Sequence, residues 1–245
     1  MPPVPLTDRL LASAARARRT KAWRAVEAQH IVSTLRLTGN DPAEQDLLER
    51  ILEESKPPVP PAAANLHYLL ATPFRYPPSK YGSRFRAWPD PGVLYAATHR
   101  RTACAELGYW RWRFLTDSPS LNEIPAAAQT LFQLGIAGRG VDLTLPPLDA
   151  WQAQWRRPQD YAPTQAFARQ ARTTGQQWIA YASVRDPQSA RCYAVLDPAA
   201  LKPREPIAQE TWYLTVTRTS AVWQRERETF VFAFGALAAR PIEAR

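Results

Sequence analysis

The stretch at residues 92–115, "GVLYAATHRRTACAELGYWRWRFL", decides how the chain folds. Its first part is a short apolar run that reads as a strand, and it leads straight into a helical pattern. Ala103, Leu107, Trp110 and Phe114 fall at i, i+4, i+7 and i+11, which predicts one apolar helix face beginning at a Thr98 cap. Glu106 stands beside that stripe, with Ala103 and Trp110 as its i−3 and i+4 neighbours, so its carboxylate is expected to be partly buried. His99, Arg100 and Arg101 occupy the first turn, where the helix dipole disfavours each cation by about 0.3–1 kcal/mol. Either an anion bound at the helix N-terminus or a nearby acidic side chain must offset that cost.

Upstream, "LHYLLATPFRY" (66–76) reads as a strand ending near Pro77, followed by "GSRF" (82–85). Arg75, Lys80, Arg84 and Arg86 gather positive charge where that strand is expected to end. Downstream, "QTLFQLGIAG" and "VDLTL" are strand candidates, and "PTQAFARQARTT" predicts a helix stopped by Gly175. "QWIAYASVR" and "RCYAVLD" flank "DPQSA" as strand, turn and strand, and "TWYLTVTRTS" and "ETFVFAFGA" read as late strands.

The N-terminal part has a different texture. In "RLLASAARARRTKAWRAVEAQHIVSTLRL" (9–37), Trp23, Val26, Ile31 and Leu35 recur at roughly a helical period, which Gly39 to Pro42 interrupts. A second helix is expected over 42–55, with Leu47, Leu48, Ile51 and Leu52 as its stripe and "KPPVPP" as its terminator. These features predict a helical hairpin with a Pro-rich linker over 1–60, packed on a main domain over 61–245. Strands and helices mixed without regular alternation give an α+β class.

Composition narrows the function. With 245 residues and 45% hydrophobic content the chain can bury a real core, and its net charge of +9 favours contact with phosphate in some form. The N-terminus lacks the apolar core of a secretory signal, and no window approaches the ~20 apolar residues of a membrane span, so a cytoplasmic protein is expected. Cys104 and Cys192 stand alone, which excludes C-x-x-C zinc spacing and favours thiols over a disulfide. No P-loop, Rossmann or esterase signature occurs. His30, His67 and His99 lie far apart, and no metal site is expected.

Three clusters at expected strand ends remain: Arg75 and Tyr76 with Arg84; Tyr95 with Glu106; and Ser183 with Arg185. Singly, each also reads as a solvated strand end, a core ring, a helix-surface carboxylate or a turn residue. In this order, however, "PFRYPP" with "GSRF", then "GVLYAATHRRTACAEL", then "IAYASVR" resemble the RES domain, a family of bacterial toxins named for an Arg, a Glu and a Ser. The resemblance covers roughly 65–200, and the N-terminal hairpin looks like the leader of a longer subgroup.

By that match Arg75, Glu106 and Ser183 take the family's named positions, and Tyr76 and Tyr95 are pocket tyrosines. The resemblance implies a fold like that of ADP-ribosyltransferases. It also implies NAD as substrate, cleaved at the nicotinamide–ribose bond by phosphorolysis, with inorganic phosphate as co-substrate, or by hydrolysis. No prosthetic group is implied. A helix-turn-helix antitoxin is the implied partner, and nucleic acid enters only through it.

The residue types suit this chemistry. A carboxylate such as Glu106 stabilises an oxocarbenium-like sugar, arginines such as Arg75 and Arg84 fork onto phosphate, and tyrosines stack on bases. Ser183 can hydrogen-bond the ligand or orient Glu106. Two other readings stand beside it: ADP-ribosyl transfer to a protein, and a basic nucleic-acid-binding module suggested by the charge and by "YWRWRF".

Overall fold

The computed structural model describes residues 7–28, 38–39, 41–78, 80 and 82–235. Its elements in chain order are α1 (Asp8–Ala14), β1 (Arg16–Glu27), α2 (Pro42–Glu54), α3 (Tyr68–Arg75), β2 (Leu94–Ala97) and α4 (Arg100–Thr116). They are followed by β3 (Glu123–Asp142), α5 (Gln152–Trp155), α6 (Ala162–Thr173), β4 (Trp178–Ala182), β5 (Arg191–Val195), β6 (Ala208–Thr217), β7 (Ser220–Arg225) and β8 (Glu228–Ala233). The fold is α+β: one mixed eight-stranded sheet flanked by helices, in the order β1-β2-β5-β4-β3-β6-β7-β8.

Strand β3 organises the sheet. It pairs antiparallel with β1 from Glu27–Gln129 to Arg16–Gly140, antiparallel with β6, and parallel with β4 over Gly140–Asp142. Because β1 also meets β2 at Trp23 and Ala97, the strands β1, β3, β4, β5 and β2 close into a ring, and β6 to β8 extend from it as a meander. Gly140 is required where β3 crosses β4, since a Cβ there would lie 2.3 Å from the Trp178 ring and from its carbonyl.

Alternation along the strands sends side chains to two cores. Trp23, Ile179, Tyr181, Cys192 and Ala194 join α4 and α6 on one face. Ala22, Trp178, Ala180, Tyr193 and Val195 join α3 on the other. Helix α4 sits close to the sheet because Gly108 leaves only 3.2 Å between its missing Cβ and Ala221 or Trp223.

The structure corrects three readings. Residues 16–27 are a strand, and the expected N-terminal helix is reduced to α1; Ile31 and Leu35 lie outside the described residues. The Arg- and Ala-rich sequence favours helix locally, and a twelve-residue ladder to β3 overrides that preference. The segment 1–60 is therefore no separate helical extension, because β1 belongs to the sheet; its second helix, α2, does form but buries none of its residues.

The run at 66–76 is helical, not a strand. It is capped by His67, whose Nδ1 accepts from the Leu69 amide, and it buries Leu69, Leu70, Ala71 and Phe74. Finally, the buried face of α4 is rotated from the predicted stripe: Thr102, Ala105, Tyr109 and Trp112 are inside, while Trp110 and Phe114 are exposed.

Candidate functional site

A cleft of about 380 Å³ opens between β1, β2, α4 and the loop at 82–85, within the size range of small-molecule sites. Strand β2 ends at the cleft and hands the chain to α4, so Glu106 projects into it from the second turn. The strand end of β4 brings Ser183 to the same point. Its Oγ donates to Glu106 Oε1 at 2.6 Å and accepts from the amides of Arg185 and Asp186 at 3.1 and 3.0 Å. Ser183 is fully buried, and this three-way bonding fixes its hydroxyl as an orienter of the carboxylate.

Burial pushes the Glu106 carboxyl above its usual range; the Ser183 hydrogen bond, then the Arg185 and Arg84 charges, pull it back. Cys192 Sγ lies 3.9 Å from the same oxygen, and burial raises its thiol well above the ordinary value.

Three arginines line the cleft, and each is held by backbone carbonyls. Arg24 Nη1 donates to Tyr95 O at 2.7 Å. Arg84 Nη1 donates to Trp155 O and Arg157 O at 2.9 and 3.1 Å, and its guanidinium lies 5.0 Å from the Tyr161 ring centre. Arg185 Nη2 donates to Pro158 O at 2.6 Å, with the guanidinium 3.6 Å above the Tyr109 ring. Among the described residues none of the three forms an ion pair with a carboxylate. Among the described residues Arg24 Nε is buried with no hydrogen-bond partner, and desolvation pushes this side chain down to about 10. A desolvated cation with an unspent donor is ready for an anion.

Tyr95 serves the loop more than the open cleft. Its hydroxyl pairs with Ser83 Oγ at 2.8 Å and accepts the Phe85 amide at 2.9 Å, clamping the segment that delivers Arg84. Burial raises the phenols of Tyr95 and Tyr181.

Of the residues singled out from sequence, Arg84, Tyr95, Glu106 and Arg185 line the cleft, and the buried Ser183 meets it through its hydrogen bond to Glu106. The cleft does not include Arg75 or Tyr76. The Arg75 guanidinium donates to Glu53 at 2.6 Å and to the Pro57 carbonyl, and Tyr76 is exposed, its carbonyl accepting from Arg86. Arg75 ends a helix rather than a strand, so it points toward α2. Conversely, Trp23 and Arg24 enter the cleft only because 16–27 is a strand. Tyr161 carries no local signal in the sequence, whereas Tyr181 stands in the "IAYASVR" motif beside the Ser183 and Arg185 pair already singled out there.

The cations in the first turn of α4 find acidic side chains instead of an anion. Arg100 meets Glu210 at 2.5 Å, and Arg101 meets the buried Asp186 at 2.6 Å. Both cysteines are free and buried. Among the described residues no three His, Cys, Asp or Glu side chains gather as a metal site, and no helix is long and apolar enough to cross a membrane.

The family model of the RES domain matches residues 59–217, so the chain belongs to the RES domain family. A chain of the solved M. tuberculosis MbcT–MbcA toxin–antitoxin complex has a similar fold, with a TM-score of 0.50 at 12% identity over 84% of this chain and 91% of that one. No curated protein matches the sequence. The family match begins downstream of β1, so the strand that supplies Arg24 lies outside it.

Proposed function

We propose that this protein is the toxin of a toxin–antitoxin pair and that it cleaves the nicotinamide–ribose bond of NAD. One observation carries the reading: the Glu106 carboxylate, oriented by Ser183, sits in a cleft lined by three arginines, none of which forms an ion pair with a carboxylate among the described residues. Family membership and the likeness to a chain of a toxin–antitoxin complex support the toxin role and an antitoxin partner, for which a helix-turn-helix protein is the proposed form.

In the proposed reaction Arg24, Arg84 and Arg185 take the pyrophosphate, and the ribose anomeric carbon lies beside Glu106. The C–N bond breaks with its electron pair leaving on nicotinamide, which departs neutral. The carboxylate stabilises the positive charge left on the ribose. A water oxygen then attacks the anomeric carbon and releases a proton, giving ADP-ribose; a phosphate oxygen attacking instead gives ADP-ribose-1″-phosphate. The cationic nicotinamide-ribose itself favours the ionised form of Glu106, against the effect of burial.

The test is release of nicotinamide by purified protein, with and without phosphate, with the products weighed by mass spectrometry. Glu106→Gln should lower release by at least about a hundredfold, the scale of removing a group that answers transition-state charge, with the fold intact. NAD left untouched by the wild-type protein under both conditions ends the reading. Label from NAD retained on a macromolecule in lysate would redirect it to ADP-ribosyl transfer.

A further inference from the structure

Trp110 and Phe114 stand on α4 one and two turns beyond Glu106, about 6 and 12 Å along the helix axis, and are 43% and 55% exposed. Leu107, Trp110 and Phe114 have the spacing of a core-facing stripe, yet α4 packs on the sheet through Ala105, Tyr109 and Trp112 instead. Leu107 and Trp110 both line the cleft, and the stripe continues to Phe114, which is exposed and does not line it. The other rings that line the same cleft are the buried Trp23 and Tyr181 and the partly buried Tyr95 and Tyr161, all less exposed than Trp110. At the rim, the Arg185 guanidinium lies 6.0 Å from the Trp110 ring centre while resting on Tyr109. The rim thus offers an exposed indole beside a cation, its ring set edge-on to Tyr109 at 5.4 Å, and a base stacked on an aromatic side chain gains about 1–3 kcal/mol.

The geometry points to Trp110 as the platform for the purine base of the dinucleotide, the base remote from the bond that breaks. The identity of this ligand rests on the NAD-cleaving reading. In this role Trp110 determines specificity: it touches the half of NAD that nicotinamide mononucleotide lacks, while Glu106 and Ser183 serve the other half.

The experiment titrates AMP and, separately, nicotinamide mononucleotide into the full chain by calorimetry, using wild type, Trp110→Ala, Trp110→Leu and Trp110→Phe. AMP should bind about tenfold more weakly to the Ala and Leu variants, and within about twofold of wild type to the Phe variant. Nicotinamide mononucleotide should stay within about twofold throughout. The Leu variant keeps an apolar side chain without a ring, so it separates stacking from simple contact even where Ala perturbs folding. Equal losses for both ligands, unchanged AMP binding in the Leu variant, or no AMP binding to wild type overturns the platform. A wild-type protein that binds AMP through Trp110 but releases no nicotinamide from NAD removes the cleavage reading and leaves the platform standing.

Discussion

Arg75 and Arg84 lie nine residues apart in one basic segment, and the fold uses them in opposite ways. Arg75 spends its guanidinium on Glu53 of α2 and on a carbonyl, so its charge is answered within the chain. Arg84 is buried and held by carbonyl dipoles and the Tyr161 ring, and Arg24 and Arg185, from β1 and from the loop after β4, are likewise held by carbonyls without an ion pair among the described residues. A carbonyl fixes the direction of a guanidinium without neutralising it. Three cations fixed in this way around one cleft cost the fold desolvation and preserve charge for a ligand. The same contrast runs through α4, where Arg100 and Arg101 meet Glu210 and Asp186. What distinguishes a site arginine here is its partner, not its neighbours in sequence.

The largest effect that would break this contrast comes from removing the charges one at a time. Arg84→Ala and Arg24→Met should each lower kcat/KM for nicotinamide release by about thirtyfold or more, the scale of losing one partner of a buried charge contact. Arg75→Ala should stay within about threefold, because a partly exposed ion pair contributes little. Arg24→Met should also hold or raise Tm, since it removes a desolvated cation. Steady-state kinetics and a melt on the same preparations check both. A collapse of activity in Arg75→Ala with Arg84→Ala unimpaired would reverse the assignment of the cleft.

Much of this arrangement was legible beforehand and some was not, for identifiable reasons. The strand, helix and strand ends that carry Tyr95, Glu106 and Ser183 follow from short-range patterns, and the structure brings these residues to one place. Residues 16–27 were not legible as a strand, because their ladder to β3 spans more than a hundred residues of separation and no local preference records it. That misreading hid Arg24. The run at 66–76 was ambiguous because a short apolar segment fits a buried strand or a helix equally; Arg75 owed its expected place to the resemblance, and as the last residue of a helix it meets Glu53 instead of lining the cleft. On α4 the apolar spacing was only half a core signal: Ala103 and Leu107 join the core, while Trp110 and Phe114 stand exposed.

A smaller effect sharpens the contrast from the side of the carboxylate. Ser183, Arg185 and Arg84 are the groups that pull Glu106 back toward ionisation against burial. If the ionised form is the active one, kcat/KM falls on the acid side through the raised pKa of Glu106. Ser183→Ala should move that limb further up in pH, because it deletes the hydrogen bond that favours the carboxylate, and Arg185→Ala should move it the same way. Arg75→Ala should leave the limb where it is. A pH–rate profile in which Ser183→Ala moves the limb downward, or in which Arg75→Ala moves it as far, contradicts the geometry.

The smallest effect is thermodynamic and concerns what the cleft costs. Glu106 has a folded-state pKa raised above its unfolded value, chiefly by burial. A carboxyl of this kind supports the fold while protonated and loses that contribution as pH rises through the folded pKa. At neutral and alkaline pH the wild-type protein therefore carries a penalty that Glu106→Gln, which cannot ionise and still accepts from Ser183, does not. The variant should melt roughly 2–4 °C higher at pH 8, the shift that about 1 kcal/mol produces in a chain of this size. The gain should shrink as pH falls toward the ordinary carboxylate range. Glu53, exposed and paired with Lys56 and Arg75, has its pKa lowered instead, so Glu53→Gln should show no such gain at pH 8. Melts of both variants at several pH values compare the answered and the unanswered charge directly: a gain for Glu53→Gln equal to that of Glu106→Gln would mean that the cleft exacts no special cost.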